Sequence, residues 1–254
     1  MEAYGDFAKV YDTFMTDIDY REWAVYIKER LKEQGIRDGL VLELGCGTGT
    51  MTELLSEAGY DMIGVDNSEE MLAEAMEKRI ESGHDILYLL QDMQEFELYG
   101  TVRAVVSVCD SMNYITEQEE LLQVFSLVNN YLDPGGIFIF DMNTVYKYRD
   151  MIGDATIAEN QEDGSFIWEN SYDDENNINV YELTLFLRRQ DGLYEKSEEV
   201  HYQRAYHEET VRKLIEEAGM EFLGIYDAYT LNPPAQDSGR LTFIAREKGK
   251  AVND

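Results

Sequence analysis

The sequence predicts an α/β fold: a mostly parallel sheet with helices on both faces, carrying a small antiparallel β insertion. Three observations predict it. From residue 37 to about 143, short apolar runs alternate with segments of helical period, the pattern of a parallel sheet. From about 150 to 204 the pattern changes to alternating runs separated by turn-like "EDG", "DENN" and "QDG", the signature of an antiparallel meander. The chain has 254 residues, 44% of them hydrophobic, enough for one domain with an inserted lobe and a substantial core. The division that follows is 1–148 and 205–254 for the α/β domain, including an N-terminal helical cover, and 149–204 for the lobe.

The elements read in order. The first 36 residues are helical in pattern, with Trp23, Ile27 and Leu31 at helical spacing and Gly35 to end the helix. "LVLEL" (40–44) is a strand, Thr50 to Ala58 a helix ending at Gly59, and "DMIGVD" (61–66) a strand. Asn67 or Ser68 caps the next helix, whose apolar face is Met71, Leu72, Ala75, Met76 and Ile80. "DILYLLQD" (85–92) and "VRAVVSVCD" (102–110) are strands. Thr116 and Glu119 have capping-box spacing for a helix through Tyr131, "LDPGG" reads as a turn, and "IFIFDMN" (137–143) is a strand. After the lobe come a helix with Val211, Leu214, Ile215 and Ala218 inward, then two closing strands, "MEFLGIYDAYT" and "RLTFIAR".

Charge and cysteine usage exclude several classes. A formal net charge of −31 repels phosphate backbones and anionic lipid, which disfavours a nucleic-acid substrate. Cys46 and Cys109 share no metal-ligand spacing, so a reduced, cytoplasmic chain without a metal site is expected. The N-terminus is acidic without an apolar signal core, and no apolar run approaches a membrane span.

The informative stretch is "VLELGCGTGT", Val41 to Thr50. Glycines permit a tight turn and close approach of backbone N–H groups to a ligand at a helix start. The dinucleotide pattern G-x-G-x-x-G/A fails at Thr50. What stands here is E-x-G-x-G-x-G: Glu43, Gly45, Gly47, Gly49. Ligands of such sheets bind beyond the carboxyl ends of the strands, and Gly45–Gly49, Asp66, Asp92 and Asp110 all lie at such ends.

This pattern resembles the class I S-adenosylmethionine-dependent methyltransferases, over residues from about 37 to 143 in order and again in the C-terminal strands. The resemblance implies the Rossmann-like methyltransferase fold, with a seven-stranded sheet, and S-adenosylmethionine as cofactor. It places Gly45, Cys46 and Gly47 against the methionine and ribose parts, and Asp66, with Asn67, at the ribose hydroxyls. Met71 falls near the adenine, Asp92 at its amino group with Met93 beside it, and "LDPGGIFIFD" at the turn before strand five. A carboxylate suits the Asp66 position because it accepts from two hydroxyl donors. "VCDSMNYI", "WENSYD" and "HYQRAYHEE" are similar to a branch of small bacterial methyltransferases of mostly unassigned substrate, with a β-rich insertion after strand five. Glycine and sugar-amine N-methyltransferases share that layout. Tyr4, Tyr11 and Asp12 then fall in the segment that covers the cofactor, and Cys109 joins the cofactor contacts.

The candidates for chemistry are Asp110, Asn113 and Tyr114 after the fourth strand, and His201 as a base. His207 offers the same chemistry at a helix start, Arg204 could hold a substrate carboxylate, and His84 reads as a solvated loop residue. Cys46 reads as packing rather than a nucleophile, and no Ser/His/Asp constellation is visible. Phe166, Trp168, Tyr172 and Tyr181 are pocket candidates, half of which strand alternation would turn to the core. "NPPA" (232–235) lies near the C-terminus and lacks the aromatic residue of base-methylating enzymes, so it reads as a loop. The expected function is methyl transfer to a small-molecule acceptor, an amine fitting best. The rivals are a nicotinamide oxidoreductase, an RNA or protein methyltransferase, and a non-catalytic cofactor-binding module.

Overall fold

The computed structural model describes Ala8, Tyr11, Asp12 and residues 18–162, 164–189 and 191–250. Tyr4, expected in the cofactor cover, lies outside them. The elements are α1 (Tyr20–Glu33), β1 (Leu40–Leu44), α2 (Thr50–Glu57), β2 (Asp61–Asp66), α3 (Glu69–Ser82), β3 (Ile86–Leu90), β4 (Val102–Ser107), α4 (Gln118–Tyr131) and β5 (Leu132–Asn143). The lobe follows as β6 (Thr156–Asn160), β7 (Gly164–Asp173), β8 (Ile178–Arg188) and β9 (Tyr194–Arg204). The chain returns as α5 (Glu208–Glu217), β10 (Met220–Asp227) and β11 (Arg240–Glu247).

The main sheet has the order β10-β11-β5-β4-β1-β2-β3. β1 to β5 pair in parallel, and β11 runs antiparallel to both β5 and β10. The order reverses between β1 and β4, and a ligand crevice forms where such strands part. Each sheet face buries its own apolar cluster. Under α4 and α5 lie Leu42, Val105, Phe125, Phe138, Phe140 and Phe243, with Phe140 and Phe243 stacked at 5.0 Å. Under α1, α2 and α3 lie Ile27, Leu31, Val41, Met51, Val106 and Ile139. Each such side chain contributes about 1.5–3 kcal/mol by leaving water.

Local chemistry sets the helix ends. Asp19 caps α1, its Oδ1 accepting from Glu22 N at 3.0 Å. Ser68 rather than Asn67 caps α3, its Oγ accepting from Met71 N at 3.1 Å. The expected Thr116–Glu119 capping box does not form. α4 begins at Gln118 with Glu117 in the cap position and no side-chain cap bond, so the helix starts one residue too late for Thr116 to be its cap. "LDPGG" is not a separate turn but the bulged start of β5. Leu132 pairs with Val102 and Ile137 with Ala104, so five residues on one strand span two on the other.

The lobe is a four-stranded antiparallel sheet in the order β6-β7-β8-β9. Its first strand, β6, and the single wide helical turn Lys147–Ile152 were not read from the sequence. Its apolar cluster is small: Phe166, Leu183 and Leu185, with Trp168 packed on it. Alternation does not divide the four lobe aromatics. Phe166, Trp168 and Tyr172 share one face of β7, and Tyr181, opposite Asn170, shares that face on β8.

Candidate active site

At the switch point lies a cavity of about 250 Å³, lined from the ends of β1, β2, β3 and β4. Tyr11, Gly45, Cys46, Gly47, Asp66, Asn67, Met71, Asp92, Met93 and Cys109 all line it. Glu43, Tyr20, Ser111 and Tyr114 complete the parts used below.

The glycine loop is shaped by contacts within the protein. Gly45 and Gly47 have φ of +68° and +52°, a region that disfavours side chains. A Cβ on Gly45 would sit 2.6 Å from Ser111 Oγ, whereas one on Gly47 would meet only Met71 Sδ, at 3.9 Å. So Gly45 is required by the neighbouring loop, and Gly47 leaves room for a ligand. The loop N–H groups do not wait for that ligand, contrary to the expectation from the sequence. Those of Gly45 and Cys46 donate to Val65 O at 2.8 and 3.0 Å, and that of Gly47 donates to Asp66 Oδ2 at 2.7 Å. What faces the cavity there is the glycine surface itself.

Asp66 is fixed from both sides, since its Oδ1 also accepts from Ser68 N at 2.9 Å. Burial pushes its pKa up, and the N–H groups of Ser68, Gly47 and Asn67 oppose that by favouring the anion. The carboxylate keeps acceptor capacity for an outside donor. On β1, Glu43 is buried and its pKa is pushed up to about 8 by burial, with Thr52 Oγ1 donating to it and Asp66 nearby. Burial raises both thiols, Cys46 and Cys109, so neither is an activated nucleophile.

The other wall is a network. Cys109 and Asp110 follow β4 with φ of +56° and +54°, a strained conformation for side chains with a Cβ. Their N–H groups donate to Asp141 at 3.0 and 2.7 Å, which holds the turn. Arg240 then bridges Asp141 Oδ1 at 2.8 Å and Asp110 Oδ1 at 2.5 Å, and Tyr229 donates to Asp141. Gln203 Nε2 donates to Asp110 Oδ2 at 2.6 Å, and Tyr148 Oη donates to Gln203 at 2.7 Å. Arg240, Asp141 and Gln203 were not singled out from the sequence. Each sits on a different strand; Asp141 ends "LDPGGIFIFD" and Gln203 lies in "HYQRAYHEE", but what joins them to Arg240 is the register of β11 on β5, invisible without the fold.

The candidates for chemistry separate. Tyr114 lines the cavity; Asp110, Asn113 and His201 do not. Asn113 is fully buried, and its amide is saturated by backbone: Nδ2 donates to Asn143 O and Arg204 O, and Oδ1 accepts from Asn143 N. It is a strut joining both ends of the lobe to the core. Asp110 is taken up by Arg240 and Gln203. Tyr114 Oη lies 3.1 Å from His201 Nδ1, and His201 Nε2 lies 3.2 Å from Glu199 Oε2. The sequence showed no such constellation because Tyr114 is separated from the other two by the whole lobe. His207 sits exposed at the start of α5, and His84 pairs with Glu53 at 2.7 Å rather than facing solvent alone. Arg204 lies over the Tyr206 ring at 5.9 Å.

The N-terminal segment touches the same cavity. Tyr11 lines it, and Asp12 accepts from Thr48 Oγ1 at 2.7 Å and pairs with Lys78 at 2.5 Å. Among the described residues no group of three His, Cys, Asp or Glu is placed to hold a metal ion. No described helix is long and apolar enough to cross a membrane.

Residues 41–136 match the methyltransferase domain family. The chain is 34% identical to a putative methyltransferase of Geobacillus sp. over 96% of this chain and 100% of the relative. An S-adenosylmethionine-dependent methyltransferase of Clostridium acetobutylicum has the same fold, with a TM-score of 0.87, 30% identity and coverage of 98% and 100% of the two chains. A dTDP-3-amino-3,4,6-trideoxy-alpha-D-glucopyranose N,N-dimethyltransferase of Streptomyces venezuelae is 32% identical over 54% of this chain and 56% of its own. With that glycine loop, that acid and that sheet order, the chain belongs to the class I S-adenosylmethionine-dependent methyltransferases.

Proposed function

We propose that this methyltransferase holds S-adenosylmethionine in the cavity at the β1/β4 switch point and passes its methyl group to a small-molecule amine presented under the lobe. The observation that carries this reading is the placement of Asp66. Its two oxygens are locked by Gly47 N and Ser68 N, with Asn67 N–H also donating to the carboxylate and acceptor capacity left over, beside a glycine whose missing side chain leaves ligand space. That acceptor fits a ribose hydroxyl. Met71, Met93 and Ile115 supply apolar lining for a purine, and Asp92 is the acid within that lining for its amino group. Tyr11 and Tyr20 close the side towards Cys109, their phenols kept neutral by burial.

When bound, S-adenosylmethionine supplies an electrophilic methyl group with a thioether as leaving group. The chain's own task is alignment, which is worth about 7–11 kcal/mol when reacting atoms are held in line. The strained Cys109–Asp110 turn, braced by Asp141 and Arg240, fixes the wall against which the acceptor would rest. An amine is favoured by two features. The net charge of −31 draws cations in. A relative acts, by its name, on an amino sugar.

The test is calorimetry with S-adenosylmethionine and NADH, followed by a screen of amino sugars and amino acids, with hydroxyl analogues as controls. Micromolar binding of S-adenosylmethionine alone, and transfer to amines over their hydroxyl analogues, is the expected result. Transfer only to hydroxyls would remove the amine, and preference for NADH would remove the cofactor.

A further inference from the structure

We infer that Tyr114, His201 and Glu199 form a proton relay, with Tyr114 as the catalytic residue that takes the acceptor's proton. The inference rests on the cavity being the methyl-transfer site. Tyr114 ends the short turn Ser111–Tyr114 that follows β4, and it lines the cavity beside Cys109 and Ser111. His201 and Glu199 stand two residues apart on β9, so both point to the inward face of the lobe. They are 5% and 4% exposed. The distances run in line: Tyr114 Oη to His201 Nδ1 is 3.1 Å, and His201 Nε2 to Glu199 Oε2 is 3.2 Å. The Tyr114 and His201 rings meet edge to face at 5.9 Å.

A carboxylate can only accept, so Glu199 selects the imidazole tautomer with its proton on Nε2. Nδ1 is then an acceptor, and the phenol donates to it. This is the arrangement that lets a hydroxyl pass a proton inwards while receiving one from outside. As the acceptor atom bonds to the methyl carbon, the carbon–sulfur bond breaks and its electron pair stays on sulfur. The acceptor's proton moves to Tyr114 Oη, and Tyr114's own proton moves to His201 Nδ1. One positive charge leaves the sulfonium and one appears on the imidazole, beside Glu199. The buried imidazolium is tolerated because its counter-charge is already in place. Solvent reclaims the proton when the product leaves. An amine or a hydroxyl can use the same relay, so it does not depend on the choice of acceptor.

The relay makes Tyr114 the most nucleophilic phenol of the 18 tyrosines, which a reagent can read without any acceptor. The probe is a small aryl sulfonyl fluoride, with labelled residues located by mass spectrometry, applied to the full chain with and without S-adenosylhomocysteine. Tyr114 should be labelled fastest, and S-adenosylhomocysteine should shield it. His201→Gln, which keeps a hydrogen-bonding amide but no base, should slow labelling of Tyr114 at least tenfold. Glu199→Gln should slow it severalfold. Tyr114 reacting no faster than other half-buried tyrosines, or equally fast in His201→Gln, would overturn the relay. The chain has three histidines, so nitrogen NMR resolves their tautomers directly. A proton on Nδ1 of His201 would also overturn it, because that nitrogen could then not take the proton of the phenol. Calorimetry with S-adenosylhomocysteine on the same variants separates the two readings. Binding without the labelling pattern sinks the relay alone, and no binding by the unmodified protein sinks the site beneath it.

Discussion

The side of the cavity at the ends of β1 and β2 is held largely by backbone hydrogen bonds, while the turn after β4 on the other side is backed by a layer of side chains from β5, β11 and the lobe that does not itself line the cavity. On the first, Gly45, Gly47 and Asp66 lie within 22 residues of one another. Their geometry follows from two strand ends and one carboxylate holding N–H groups. On the second, Asp110, Asp141, Gln203 and Arg240 come from four strand ends spread over 131 residues. A backbone site tolerates changes of surface but not of torsion. A charge network tolerates torsion poorly as well, and in addition fails when one partner is lost.

The largest expected effect tests the network. Arg240→Leu leaves Asp110 and Asp141 facing each other, each partly or wholly buried. Removing one partner of such a pair costs about 3–5 kcal/mol, read as a lowered denaturation midpoint at unchanged slope. Affinity for S-adenosylmethionine should change much less than stability, because Arg240 does not line the cavity. Equal losses in both would mean that the two walls are one unit. Next come the glycines. Gly45→Ala places a Cβ against Ser111 at a φ of +68° and should lose about 2 kcal/mol of stability. Gly47→Ala meets no close atom, so the torsion cost of about 1–2 kcal/mol remains, but cofactor affinity should fall more than for Gly45→Ala. Calorimetry and denaturation on both proteins decide it. The reverse order would show that Gly47 is the packing glycine.

This contrast also explains what the sequence could show. The backbone wall was legible because a left-handed turn forces glycine and the acid ending β2 holds that turn, so both leave marks at fixed spacing. All ten cofactor-side residues expected from the sequence fall on the one cavity. The side-chain wall was legible only where it touched β4. Asp110, Asn113 and Tyr114 were found by their place after the strand, but their tasks were not: one is tied in a network, one is a strut, and one faces the cavity. Arg240 and Glu199 carry no local pattern, since a charged residue on an acidic chain's strand looks like surface. The lobe's small core of Phe166, Leu183 and Leu185 left its first strand, β6, without a clear alternating signal.

Smaller still is a pH effect on the backbone wall. Glu43 is ordinarily a group of pKa 4.5, and burial raises it to about 8 in the fold. The folded protein therefore holds a proton that the unfolded chain releases. The stability linked to Glu43 is whole below pH 4.5 and declines as pH rises towards 8, by about 1.4 kcal/mol per unit at most. Glu43→Gln mimics the protonated form and should flatten that decline. Denaturation midpoints of both proteins at several pH values between 5 and 8 measure the difference, and parallel profiles would show that Glu43 is ionised in the fold. With the expected difference, the wall without a strong salt bridge is the one whose stability falls between pH 5 and 8.

The smallest expected effect concerns the bridge between the N-terminal segment and the backbone wall. Lys78 Nζ contacts Asp12 at 2.5 Å, Thr50 Oγ1 at 2.7 Å and Thr48 Oγ1 at 2.9 Å. Asp12 is 45% exposed and Lys78 28%, so solvent screens the pair and it is worth about 0.2–1 kcal/mol. Lys78→Met should thus leave the denaturation midpoint nearly unchanged. Its consequence lies elsewhere, because Asp12 adjoins Tyr11, which lines the cavity. If the pair holds Tyr11 in place over the cofactor, releasing it should speed dissociation of S-adenosylhomocysteine by about 1.4- to fivefold, the equivalent of the same energy. Salt supplies the control: raising ionic strength weakens an exposed pair, so it should speed release from the unmodified protein and not from Lys78→Met. Stopped-flow release with the same salt dependence in both proteins would mean that Tyr11 is held by Tyr20 and Cys109 on the side-chain wall, and that the cover belongs to that half of the site.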